Sequence, residues 1–307
     1  MDSVRKEQFL VKLEELERKF GNHNIFEAVR DGFNAIFNTD TTDSIPVQSQ
    51  FEGIDIDYAN QIVKYNPNHQ NNVDTSVENN PTVDNELIPG VEIWSIFSRN
   101  RVDIRDGNPL VYALKGEGKW RFRSNYDRNA IETQFNLIID KFLAEHRYDV
   151  TVIAPTSNPL NEYIIGVIKS KQPDIEYIKG ALLKLSTGDI ASMVEDKDST
   201  FVKTYRDDID TARRTLFAYL ERMDNERDGQ FTRHMIDNNK MRNVLDRTLK
   251  NNDSLLAKDA AKITDHDVLL VDDTISRGQT IREAVNIIRS SYAPKSITVL
   301  TLFSRLR

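Results

Sequence analysis

The chain has 307 residues, of which 39% are hydrophobic and 29% charged, with a formal net charge of -7 and no cysteine. That length holds one or two domains with a sizeable core, and the acidic balance argues against a general coat for duplex DNA or RNA. Disulfides, thiolate metal sites and cysteine nucleophiles are excluded. No apolar stretch approaches the ~20 residues that span a bilayer, and the opening residues lack a signal peptide's apolar core, so a cytoplasmic protein is expected.

In chain order, Phe9, Leu13, Leu16 and Phe20 recur at helical spacing, as do Phe26, Val29, Phe33 and Ile36 after the Gly21-Asn22 break. An N-terminal helical segment over 1–38 is expected, packed on the body or on a partner. From 39 to 86 the composition shifts to Asn, Asp, Thr, Pro and Gln, which predicts an Asn-rich linker or long loop. Phe51, Ile54, Ile56 and Tyr58 dock one short piece of it. His69 is read as solvated, because no second metal-type residue stands at matching spacing.

The main domain is expected over 87–307. The stretch 91–97 alternates as a strand, 106–109 marks a turn, and 110–114 and 120–122 read as further strands around Gly116 and Gly118. Together these predict an antiparallel β region. Ile131, Phe135, Ile138, Ile139 and Phe142 mark an amphipathic helix, followed by a buried-strand candidate over 149–153. That strand ends in a small-polar loop containing Thr156, Ser157 and Asn158 before a helix around 163–168, so its backbone donors can face an anion. After a short apolar piece at 174–178 comes a polar, helix-rich region over 186–264. There Ile209, Ala212, Leu216, Leu220 and Met223 form one helical face, and Met241, Val244, Leu245 and Leu249 another.

The most informative stretch is 267–280. A continuous apolar run, 268–271, ends in two adjacent carboxylates, Asp272 and Asp273; a small-polar loop with Gly278 follows, and then a helix carrying Ile281, Ala284, Val285 and Ile288. This reads as a buried parallel strand feeding a helix, with ligands expected at the strand's carboxyl end. Amides at the start of that helix form a natural phosphate cradle, and Ser276 and Thr280 add hydroxyl donors. Two carboxylates beside such a cradle would repel the phosphate unless they face hydrogen-bond donors, and vicinal sugar hydroxyls suit them. The pattern is neither a P-loop nor a dinucleotide fingerprint. A last β-branched, apolar run at 296–303 predicts the next parallel strand.

The run 268–280, Val-Leu-Leu-Val-Asp-Asp-Thr-Ile-Ser-Arg-Gly-Gln-Thr, resembles the phosphoribosyl diphosphate (PRPP) motif of the type I phosphoribosyltransferases. The likeness covers about 149–303. It implies an α/β fold, a parallel sheet flanked by helices, with the antiparallel region supplying a hood and the 186–264 region a lid or helical insertion. It further implies a glycosyltransferase of nucleotide metabolism, which transfers a phosphoribosyl group from PRPP to a base or amine nitrogen and releases pyrophosphate. Mg²⁺ would be bound through the substrate's diphosphate. By the same resemblance Asp272 and Asp273 hold the ribose diol, and Ser276, Arg277, Gly278, Gln279 and Thr280 hold the 5′-phosphate. Thr156, Ser157 and Asn158 take the pyrophosphate; Lys184 and Arg242 match basic positions of the competence-type branch that neutralise it. Some members carry Asp where Ser276 stands and use it near a purine. Trp94 and Tyr112 are aromatics able to stack on a base, with core packing as their ordinary role. The alternative is a non-catalytic PRPP- or nucleotide-binding module of a larger assembly. A homo-oligomer is compatible with either reading.

Overall fold

Val268, Leu269, Leu270 and Val271 are all fully buried, which is possible only for a strand covered on both faces. In the computed structural model they lie in the middle of the central sheet. The structure describes residues 52–69, 71–99, 108–116, 118–156, 160–227, 229–231, 235–245, 247–275 and 278–304. The expected helical segment at 1–38 lies outside them.

Four strands come first: β1 (Gly53–Asp57), β2 (Ile62–Asn66), β3 (Val73–Asp74) and β4 (Thr82–Asp84). They are followed by β5 (Glu92–Arg99), helix α1 (Asn108–Lys115), β6 (Arg121–Phe122), α2 (Asn125–Glu145), β7 (Val150–Ile153) and α3 (Leu160–Lys171). Then come β8 (Glu176–Ile178), β9 (Leu182–Lys184), α4 (Thr187–Glu195), α5 (Thr200–Thr204), a 3-10 turn (Arg206–Asp208), α6 (Ile209–Arg227), α7 (Asn239–Val244), β10 (Leu249–Asn251) and α8 (Ala257–Ala261). The chain closes with β11 (Asp267–Thr274), α9 (Gln279–Tyr292) and β12 (Ser296–Phe303).

Among the described residues the central sheet runs β3-β5-β12-β11-β7-β8, with β4 also on β5. β5, β12, β11, β7 and β8 are parallel, while β3 and β4 add antiparallel to β5. Alternate residues of β11 supply opposite faces. Leu269 and Val271 join Leu110, Ile131, Ile138 and Ile164 on one side; Val268 and Leu270 join Ile281, Ala284, Val285 and Ile288 of α9 on the other. The helix-rich insertion has a core of its own, centred on Phe201, Leu216, Leu220, Met223 and Met241. No described helix is long and apolar enough to cross a membrane.

Four local expectations change. The stretch 39–86 carries β1–β4 rather than a loop alone, with Ile54, Val63 and Val73 fully buried. Its polar residues bond one another: Asp74 accepts from the Ser76 amide and hydroxyl and from Asn79, and Asn80 donates to the Asp74 and Ser76 carbonyls. The run 110–114 is the helix α1, not a strand. A short apolar run does not reveal its period, and Pro109 in the first turn suits a helix start. β5, expected in an antiparallel region, pairs parallel with β12, so among the described residues antiparallel pairing at this end is confined to β1–β2 and to β3 and β4 on β5. Leu249, expected on a helical face, lies in β10, which pairs with β9.

Candidate functional site

β7 continues to β8 on one side of the sheet, and β11 continues through α9 to β12 on the other. The chain therefore reverses direction between β7 and β11, and the crevice at their carboxyl ends is the topological switch point where open α/β sheets bind ligands. Asp272 and Asp273 stand there, each only 9% exposed. The strand puts them in place. Val271 pairs with Ile153, Asp272 pairs with Thr301, and the Ala154 amide donates to the Val271 carbonyl at 2.9 Å.

The two acids are held by different groups. Asp273 pairs with Lys115, the last residue of α1, at 2.6 Å, both side chains being largely buried. Thr274 donates its hydroxyl to the other Asp273 oxygen at 2.9 Å. Asp272 accepts from the Asp273 amide at 2.9 Å, and the neutral Asn161 side chain beside it favours its ionised form. Burial, followed by the neighbouring Asp273 charge, pushes the Asp272 carboxyl up to about 7; the Asp273 amide, Asn161 and Lys115 oppose the rise.

Asn161, in the first turn of α3, lies between the two strand ends. Its amide also reaches the Ala154 carbonyl at 3.4 Å, whereas its own Oδ1 is buried without a hydrogen-bond partner. On the far side Arg99, itself buried, clamps the edge of the sheet by donating to the Ser304 carbonyl at 2.6 Å and to the Ile275 carbonyl.

Gly278 caps α9 in the left-handed region, at φ 72°. Leu87 lies against it, and the Leu87 carbonyl accepts from Arg282 one turn into the helix at 3.2 Å. Gln279 and Thr280 form the first turn of α9; Ser276 and Arg277 lie outside the described residues. Thr156 and Lys184, far apart in sequence, line one cavity of about 490 Å³ together with Asn161, Glu162, Tyr177 and Gln230. Ser157 and Asn158 lie outside the described residues. Arg242 belongs elsewhere: its guanidinium holds the Ile236 carbonyl inside the insertion, and it does not line that cavity.

Sequence reasoning missed Lys115 and Asn161. The first sat in a run read as a strand, and the second just beyond the polar loop that ends β7. Trp94 packs on Phe142 and His146, with ring centroids 5.8 and 4.9 Å away, so it is half-buried against the core. Tyr112, one turn before Lys115, stays 39% exposed.

The fold and the site define a mixed α/β protein with a mostly parallel sheet and an acid pair at its switch point. No protein-family model matches the chain, and neither does any curated protein or solved structure.

Proposed function

We propose that the chain binds PRPP with Mg²⁺ and transfers its phosphoribosyl group to a nitrogen acceptor, a base or an amine, with release of pyrophosphate. The observation that carries the reading is the acid pair Asp272 and Asp273 at the carboxyl end of β11, on the switch point and just upstream of the left-handed glycine that opens α9.

In this reading the acid pair takes the ribose hydroxyls, since ionised Asp accepts hydrogen bonds. The segment Ser276, Arg277, Gly278, Gln279 and Thr280 takes the 5′-phosphate at the positive end of α9. The cavity lined by Thr156 and Lys184 receives the diphosphate, a role the resemblance extends to Ser157 and Asn158. Mg²⁺ screens that diphosphate, to which it commonly binds with few protein ligands. The C1–oxygen bond breaks with its electron pair leaving on pyrophosphate, and the acceptor nitrogen's lone pair forms the new bond to C1. Carboxylates near C1 favour the positive charge that develops there, and the phosphate grip supplies remote binding energy.

Calorimetry with Mg²⁺-PRPP, followed by a pyrophosphate-release assay against a panel of bases and amines, tests the proposal. Binding with release is expected, and Asp273→Asn lowers turnover at least ~10-fold while the fold is kept. Failure of the wild type to bind PRPP rejects the reading. A second reading, a non-catalytic PRPP- or nucleotide-binding module, is favoured by one observation: Lys115 already neutralises Asp273. Binding without release of pyrophosphate with any acceptor selects it.

A further inference from the structure

Lys115 reaches Asp273 from α1, outside the β11–loop–α9 unit that carries the acid pair. Its helix is fixed from below by Leu110 and Val111, both buried in the core. It is ended by Gly116, in the left-handed region at φ 66°, so the last side chain of α1 leaves the helix at a defined point. The ammonium then lies 2.6 Å from Asp273 with only 13% of the Lys115 side chain exposed, where a lysine is rarely found unpaired. Asp272 lies instead beside the neutral side chain of Asn161 from α3, which favours its ionised form. Adjacent acids of one strand thus face different elements, Asp273 a cation on α1 and Asp272 a neutral amide on α3.

We propose that Lys115 is a positioning residue of the ribose site: it orients the Asp273 carboxylate while Asn161 orients Asp272, so that the two acids meet the diol in different roles. The inference rests on the ribose-phosphate reading given above. Among the described residues, the charged groups facing Asp272 are Asp273 on its own strand and Lys115 on α1, with neutral Asn161 from α3 and Thr301 in register from β12. Burial, then the Asp273 charge, raises the Asp272 carboxyl above the usual carboxylate range, whereas the Lys115 ammonium lies directly on Asp273.

The test compares wild type with Lys115→Met, Lys115→Gln and Lys115→Arg, with the glutamine variant as a second probe in case the methionine variant does not fold. Two quantities are read across pH 5–9: the carboxylate titration of the acid pair by carbon-13 NMR, and the affinity for Mg²⁺-PRPP by calorimetry. In Lys115→Met and Lys115→Gln the Asp272 titration is expected to rise by about one pH unit, because a nearby opposite charge is lost. The pH midpoint of PRPP binding moves with it, affinity at pH 7 falls about 10-fold, and Lys115→Arg recovers most of both. A wild-type titration and binding profile in the methionine and glutamine variants would overturn the inference while leaving the ribose-phosphate reading in place. Absence of PRPP binding by the wild type at every pH removes that reading instead. The carboxylate titration then decides the positioning role alone, a shift supporting it and no shift overturning it.

Discussion

Leu87 rests directly on Gly278: a methyl group added at position 278 would stand 2.4 Å from Leu87 Cδ2. The turn between β4 and β5 and the glycine that opens α9 are therefore one packing unit, joined further by Arg282 donating to the Leu87 carbonyl. Gly278→Ala combines a left-handed backbone with this overlap. It is expected to cost about 2 kcal/mol in urea unfolding, and Leu87→Ala in the same background should recover part of that loss by removing the clash. Additive losses in the double variant would show that the contact is not the cause.

Asp272 is a site residue that works against the fold. Its folded value, raised to about 7, lies above the unfolded one, so its contribution is fully present below about pH 4 and is lost as pH rises through 7. Asp272→Asn removes this dependence. The variant is expected to match wild type near pH 4 and to exceed it by ~2 kcal/mol at pH 8, as read from urea midpoints at the two pH values. Equal midpoints at pH 8 would contradict the buried, proton-binding state of this acid.

Glu283 ties the insertion to α9. Its carboxylate accepts from the Thr248 amide at 2.9 Å, the Thr248 hydroxyl at 2.9 Å and the Leu249 amide at 2.9 Å. Glu283→Ala strands both amides and is expected to cost about 2 kcal/mol, with hydrogen exchange at Thr248 and Leu249 accelerating more than in the β11 core. Burial raises the Glu283 carboxyl, so its contribution is largest in acid and fades as pH rises through its folded value. Wild type should therefore lose ground to Glu283→Gln as the acid range is left behind.

Asp189 acts in the opposite sense. It completes a capping box with Ser186 at the start of α4 and pairs with Lys250 at 2.7 Å. The Lys250 contact, with the Ser186 bonds, holds its carboxyl down at about 2 against a smaller burial effect. That stability is present above about pH 4 and is lost as pH falls through the folded value. Asp189→Asn is expected to cost about 1 kcal/mol at pH 7. The cost should shrink towards zero near pH 2, a trend readable from amide exchange across α4.

The sequence alone determined the elements whose signal is local. The apolar run of β11 with its acid tip, the α9 face at Ile281, Ala284, Val285 and Ile288, the α2 stripe and the β12 run all appear where periodicity places them. In each, the pattern that buries the segment lies within the segment itself. The strands in 53–84 were hidden because each is short and their turns are held by Asp, Asn and Ser side chains that read as solvated when met in a row. Tertiary structure alone decided that β7 and β11 are neighbours, that Thr156 and Lys184 share a cavity, and that Lys115 and Asn161 divide the acid pair between them. A salt bridge between a helix end and a strand tip depends on how far-separated segments meet, and no repeat in the intervening residues records that meeting.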